Sequence, residues 1–312
     1  MENIFISGSI GYIHLKNDNN HILLLSDNHS STNYCKIDNS QFISKWLLTK
    51  NSKENSKVLL EEVPRIKNSK LLELWSSKQH TQELKDLYLN QKINDKQIEG
   101  IDIRPLLIPF NLEYIEKREN INIIDYLESL NNFFELEHKY FIENIGNVYT
   151  DINNEQLNKH FLELKHDYDN LKKQYHKNFL VININKEFKK ELDELLSSIM
   201  EWYTIAKIFY NNKLGINKFI VHAGLFHTTN LNKILISSYG YKEINSDGII
   251  DIKKIKDDDD IIDINEIKDD DNNCLKIPSC VNNQFGGYDE KYRKYKGKYL
   301  TLKKKYFINN SD

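Results

Sequence analysis

Proline and glycine are scarce in this chain, four and eleven in 312 residues, while Asn, Lys, Ile, Asp and Tyr abound. The bias is that of an AT-rich coding sequence, so the scarcity is not a folding signal. Cysteine is also rare. Cys35, Cys274 and Cys280 are odd in number, and the last two are too far apart for a CxxC motif. A reduced, intracellular protein is the simplest expectation. No apolar run has the length of a membrane-spanning helix. The start, Met1-Glu-Asn-Ile-Phe-Ile-Ser-Gly8, lacks the basic opening and long apolar stretch of a signal peptide. A formal net charge of −3 gives no global case for nucleic-acid binding. With 39% hydrophobic and 29% charged residues, the expectation is a soluble globular protein without a transmembrane segment.

What is present is a series of strand-like apolar runs with polar ends. Ile4–Ser7 and Ile10–Leu15 read as an N-terminal β-hairpin turning near Gly8. The strand His21–Leu25 follows, then a helix over 40–48 and a strand over Val58–Glu62 that Pro64 stops. Apolar spacing predicts a helix over 70–90 and a short third strand over Ile101–Arg104, closed by Pro105. This order predicts an α/β fold: a mostly parallel sheet flanked by helices. Leu157, Phe161, Leu164, Tyr168, Leu171 and Tyr175 recur every three or four residues, as do Leu192, Leu195, Leu196, Ile199, Trp202 and Tyr203. They predict a helical insertion at about 115–212. Lys218–Val221 returns to strand, and a helix is expected from Thr229.

The expected organisation is an α/β core over 1–246, an acidic low-complexity linker over 247–288 and a basic, Tyr/Lys-rich helical tail over 289–312. Tyr292, Tyr295, Tyr299, Leu302 and Tyr306 would share one face of that tail, with lysines around the rest. Such a helix suits docking on a protein partner. Its lysines and tyrosines would also suit nucleic acid.

Chemistry is expected where strands end, because open α/β sheets build sites at the carboxyl ends of their strands. Asp27 and His29 lie two apart just past a strand, as a metal-ligand pair or an oriented base would. Glu61 and Glu62 end the next run and point to opposite faces. Asp102 and Arg104 share a side, and arginine presents a rigid fork to carboxylates or phosphates. Val221-His222-Ala-Gly224-Leu-Phe-His227 puts two histidines around a glycine, with Thr228, Thr229 or Asn230 as candidate caps. His29, Glu61, Glu62, Arg104 and His227 are the candidate catalytic residues. Asp27, His29, His222 and His227 are candidate ligands for a divalent metal, the cofactor to which these residue types point. His14, on the hairpin, could approach the pocket or sit on the surface, and the surface is the expectation.

Taken together, these segments resemble the superfamily of erythromycin esterase, the ChaN-like haem-uptake lipoproteins and the TraB/Tiki proteases. The segments are Leu25-Ser-Asp27-Asn-His29, Leu60-Glu61-Glu62 and Val221-His-Ala-Gly224-Leu-Phe-His227-Thr-Thr-Asn-Leu. Ser26-Asp27 stand where that superfamily carries Gly-Glu. The likeness spans roughly 22–105 and 219–235. It implies a hydrolase acting on a small molecule or a peptide. His29 and His227 would be bases or metal ligands, Glu61 or Glu62 would activate water, and Arg104 would orient substrate or meet developing negative charge. The composition and the Lys-Tyr tail also resemble proteins of giant amoebal DNA viruses, which implies a place in host cytoplasm or virion and allows a non-enzymatic interaction protein working through its tail. Asp27-Asn-His29 is similar to the opening of calcineurin-like metallophosphoesterases as well, but their other metal-binding blocks are missing.

Overall fold

The computed structural model describes residues 3–27, 35, 37–38, 40–50, 55–65, 79–89, 98–107, 123–135, 154–175, 186–250 and 274–285. His29, most of the acidic stretch and the whole basic tail lie outside them.

The main sheet is built from β2 (Gly11–Asn17), β3 (Asn20–Asp27), β5 (Ser56–Leu60), β6 (Ile98–Gly100), β7 (Lys218–Gly224) and β8 (Lys242–Gly248). Their order is β6-β5-β7-β3-β2-β8. The pairs β6–β5, β5–β7 and β7–β3 are parallel, while β2 runs against both β3 and β8. All five residues of β5 are buried, as are six of the seven in β7. Helices cover both faces of such strands, so apolar runs replace alternation. A smaller sheet joins β4 (Gln41–Phe42), β1 (Ile4–Ser7) and β9 (Leu275–Ile277).

Eight helices are described. α1 (Ile43–Lys50), α2 (Gln79–Leu89) and α3 (Arg104–Leu107) belong to the first half. α4 (Ile123–Phe134), α5 (Glu155–Tyr175) and α6 (Lys186–Lys213) form the inserted helical layer. α7 (Leu225–Tyr239) and α8 (Ser279–Phe285) follow. Asn154 caps α5 by accepting the Leu157 N–H at 2.8 Å. The six apolar residues expected on one face of α5 are all buried. They meet α6 through Trp202, whose indole donates to the Leu157 carbonyl at 3.2 Å. Phe133, Phe161 and Trp202 pack ring against ring there.

Register decides which residues share a face. Leu25 and Leu60 both pair with His222 across the central strand. Because side chains alternate, His14, His21, Leu23, Leu25 and His222 lie on one face, and Ser26, Lys57 and Glu61 on the other. The contacts agree. Ser26 meets Thr228 of α7 at 2.8 Å, and Lys57 donates to Asn211 of α6 at 2.9 Å. Phe285 of α8 meets both His14 and His21. Thus α6 and α7 cover one face, and α8 covers part of the other.

Several expectations change. β1 and β2 sit in different sheets, so they are not a hairpin. The antiparallel hairpin is β2–β3, turning through Asp18 at φ 48°. The third strand lies three residues earlier than expected. Gly100 comes so close to the chain at Glu62 that a side chain there would strike its carbonyl at 2.4 Å. Residues 101–103 leave the sheet, and Pro105 falls in the first turn of α3, where its missing N–H costs nothing. α7 starts at Leu225 rather than Thr229, and Gly240 closes it in the left-handed conformation. Within the stretch read as a linker, residues 274–285 form β9 and α8, with Leu275, Ile277, Val281 and Phe285 buried. Cys35 and Cys274 form a disulfide across 239 residues. This corrects the expectation of reduced thiols for two of the three cysteines and removes the argument from cysteine usage for a reducing compartment. No described helix is long and apolar enough to cross a membrane.

Candidate active site

The carboxyl ends of β5, β6 and β7 lie side by side under α6 and α7. Glu61 is the first residue past β5, and its N–H still donates to the His222 carbonyl at 3.0 Å. That continued ladder fixes the direction of its side chain. Glu61 Oε2 accepts the Gly224 N–H at 2.7 Å, at the start of α7. A carboxylate here completes an amide that the helix itself cannot satisfy and sits at the positive end of the helix dipole. Gly224 has φ −54°, so its value here is that N–H rather than a glycine-only conformation.

Arg104 is held from three sides. Its Nε and Nη2 donate to the two oxygens of Asp102 at 2.7 and 2.9 Å. Nη2 also donates to Glu61 Oε1 at 2.8 Å, and Nη1 approaches His227 Nε2 at 3.2 Å. Burial opposes the guanidinium charge, but Asp102 and then Glu61 outweigh it and raise the arginine pKa further. Arg104 therefore stays a cation.

His227 projects from the first turn of α7. A guanidinium can only donate, so Nε2 is the accepting nitrogen and the ring proton sits on Nδ1. Nδ1–H then donates to Glu201 Oε1 at 3.1 Å. Asn230, one turn further along α7, donates to the same oxygen at 3.0 Å. Glu61 Oε1 lies 3.5 Å from Nε2. Protonation of Nε2 would thus place an imidazolium between two carboxylates. The side chains of Glu61, Asp102, Glu201 and His227 are all at most 9% exposed, whereas Arg104 is 27% exposed. Solvent reaches the cluster along the arginine.

Three of the five expected catalytic residues, Glu61, Arg104 and His227, are brought together. Glu62 is not joined to Arg104 or His227. Its backbone carbonyl accepts the Asp102 N–H at 3.0 Å, and its side chain is buried. His29 lies outside the described residues. The four expected metal ligands divide differently. His222 is turned through the sheet, its Nε2 donating to the Gly8 carbonyl at 3.4 Å. Asp27 is buried, opposite Gly224 in register and on the His222 face. His227 has Glu201 on one nitrogen and Arg104 on the other. Among the described residues no group of three or more His, Cys, Asp or Glu is arranged to hold a metal ion.

Glu201 was missed by the sequence reading, and Asn230 was read there only as a candidate cap. Glu201 carries one signal: it is a lone carboxylate between the apolar residues Ile199, Met200, Trp202 and Tyr203 of a buried helix. The three caps expected for α7 do other work. Thr228 binds Ser26, Thr229 donates to the Ile250 carbonyl at 3.3 Å, and Asn230 holds Glu201.

Comparisons with protein-family models, with curated proteins and with solved structures each give no match.

Proposed function

We propose that the protein is a hydrolase of the erythromycin esterase/TraB-like type, with His227 as general base and Glu201 as the group that orients it. The supporting observation is the chain Asn230–Glu201–His227, which fixes one imidazole tautomer and turns Nε2 toward the partly exposed Arg104. In this reading Nε2 takes a proton from water, and the hydroxide adds to an ester or amide carbonyl. The imidazolium rests between Glu201 and Glu61 until it returns the proton to the leaving oxygen or nitrogen as that bond breaks. A carboxylic acid and an alcohol or amine result. Arg104, fixed in plane by Asp102, turns its Nη1 hydrogens to the oxyanion as it forms.

The test is hydrolysis of p-nitrophenyl acetate, p-nitrophenyl butyrate and a peptide anilide by the full chain. His227→Gln should lower the rate of any active probe by about 10²–10⁴-fold without unfolding the protein. Full activity in His227→Gln, or no hydrolysis of any of the three probes by the wild type, would overturn the reading.

A further inference from the structure

The second histidine-containing cluster lies on the opposite face, under α8. His14 of β2 and His21 of β3 face each other, with Nε2 and Nδ1 3.0 Å apart. At that distance one nitrogen donates to the other, so the two facing nitrogens cannot both carry a proton. His14 is 5% exposed, and its other nitrogen, Nδ1, is buried with no partner among the described residues. Phe285, the last residue of α8, meets both rings in T-shaped contacts, with centroids 5.2 and 6.5 Å away. The charged groups acting on the pair are Lys16 of β2 and Lys218 of β7, and both are cations. No carboxylate among the described residues compensates a charge there. α8 itself offers only Cys280, which is exposed, as a titratable residue. Its other anchors are Val281, which is buried, and Asn282, which accepts the Trp46 indole N–H of α1 at 3.3 Å.

We infer that α8 is an acid-operated latch, closed by Phe285 over the neutral His14–His21 pair and released when those rings take up protons. A proton taken up by His14 while the latch is shut would make a buried imidazolium facing His21 beside Lys16, under an aromatic lid. Protonated His21 would likewise lie beside Lys16 and Lys218. Undocking α8 admits water to His14. The release is confined to α8, because β9 just before it is paired with β1 and preceded at once by the Cys35–Cys274 disulfide. Burial, then its partner histidine and Lys16, pushes the His14 pKa down from 6.5 to about 4. His21 is also lowered, by burial and then by Lys16 and Lys218. The docked form therefore binds fewer protons than the open form. Docking is complete above pH 6.5 and weakens as the pH falls toward 4.

Hydrogen exchange of the full, disulfide-bonded chain between pH 7.5 and 4.5 tests this. After correction for the intrinsic pH dependence, the amides of 279–285 should lose protection by up to roughly tenfold per pH unit for each histidine held neutral. β3 and β7 should stay protected. His14→Phe/His21→Phe, which keeps the rings and removes the titration, should abolish the acid loss. Phe285→Ala should expose α8 already at pH 7.5. If the double variant does not fold, His21→Phe alone should reduce the slope, and an unchanged slope would count against the latch. Protection of α8 that is flat with pH in the wild type, or an acid loss that persists in the double variant, would overturn it.

Discussion

Helix α6 crosses two charged clusters on one face of the sheet, and the two have opposite balances. At the amino ends of β5 and β6, Lys57 and Lys207 both close on Glu99, and Asn211 accepts a second hydrogen bond from Lys57. At the carboxyl ends, Asp102, Glu61 and an imidazole surround Arg104, and a third carboxylate, Glu201, holds the far side of that imidazole. In the first cluster Glu99 and Lys207 are both held in their charged forms. Burial opposes ionisation of Glu99, but Lys207 and Lys57 outweigh it and lower its pKa. Burial likewise opposes the Lys207 charge, and Tyr203 and Glu99 outweigh that and raise its pKa. Neither of these two groups exchanges a proton near neutrality. The second cluster contains a ring with one nitrogen donating and one accepting, beside a partly exposed cation. A buried charge cluster is a clasp when its members are fixed ions, and it becomes a candidate for chemistry only when one member can change protonation.

The largest effect should come from breaking the clasp. Glu99→Gln leaves two buried lysines facing each other, and urea unfolding should show a loss of about 3–5 kcal/mol. The same variant should flatten the acid limb of the stability curve. Glu99 has its pKa lowered below the ordinary 4.5, so its contribution is fully present above that value and is lost as the pH falls through the lowered one. Melting temperature against pH checks the sign. Arg104→Met should come next, at about 3 kcal/mol, because Asp102 and Glu61 then lie buried without their cation. Unlike Glu99→Gln, it should also remove hydrolysis at temperatures where the protein remains folded. Asn230→Ala should be mildest. Losing one hydrogen bond to Glu201 should cost about 1 kcal/mol in the urea midpoint and lower kcat a few-fold with KM unchanged.

Much of this fold was readable before the structure, for physical reasons. Strands buried on both faces leave continuous apolar runs, so β3, β5 and β7 stood out, and so did the buried stripes of α5 and α6. Glu61, Arg104 and His227 were visible because each follows such a run directly. What was hidden depends on pairing. His222 and Glu61 fall on opposite faces only because Leu60, not Glu61, is the residue level with His222. A shift of one residue would reverse that assignment. Glu201 lies in mid-helix, where the apolar period drew attention to its neighbours. His14 was read as a surface residue because nothing local reveals that β9 and α8, more than 250 residues later, return to cover it. The Cys35–Cys274 bridge was hidden for the same reason.

The most direct test of the account compares two conservative variants along α6 and its partners, Glu201→Gln and Glu99→Gln. Hydrolysis of the best p-nitrophenyl ester would be measured at a temperature where both are folded by circular dichroism. The account predicts that Glu201→Gln loses kcat by about tenfold or more while Glu99→Gln keeps the wild-type rate despite its lower stability. Equal losses in both variants, or an unchanged rate in Glu201→Gln, would contradict the assignment of chemistry to the carboxyl-end cluster.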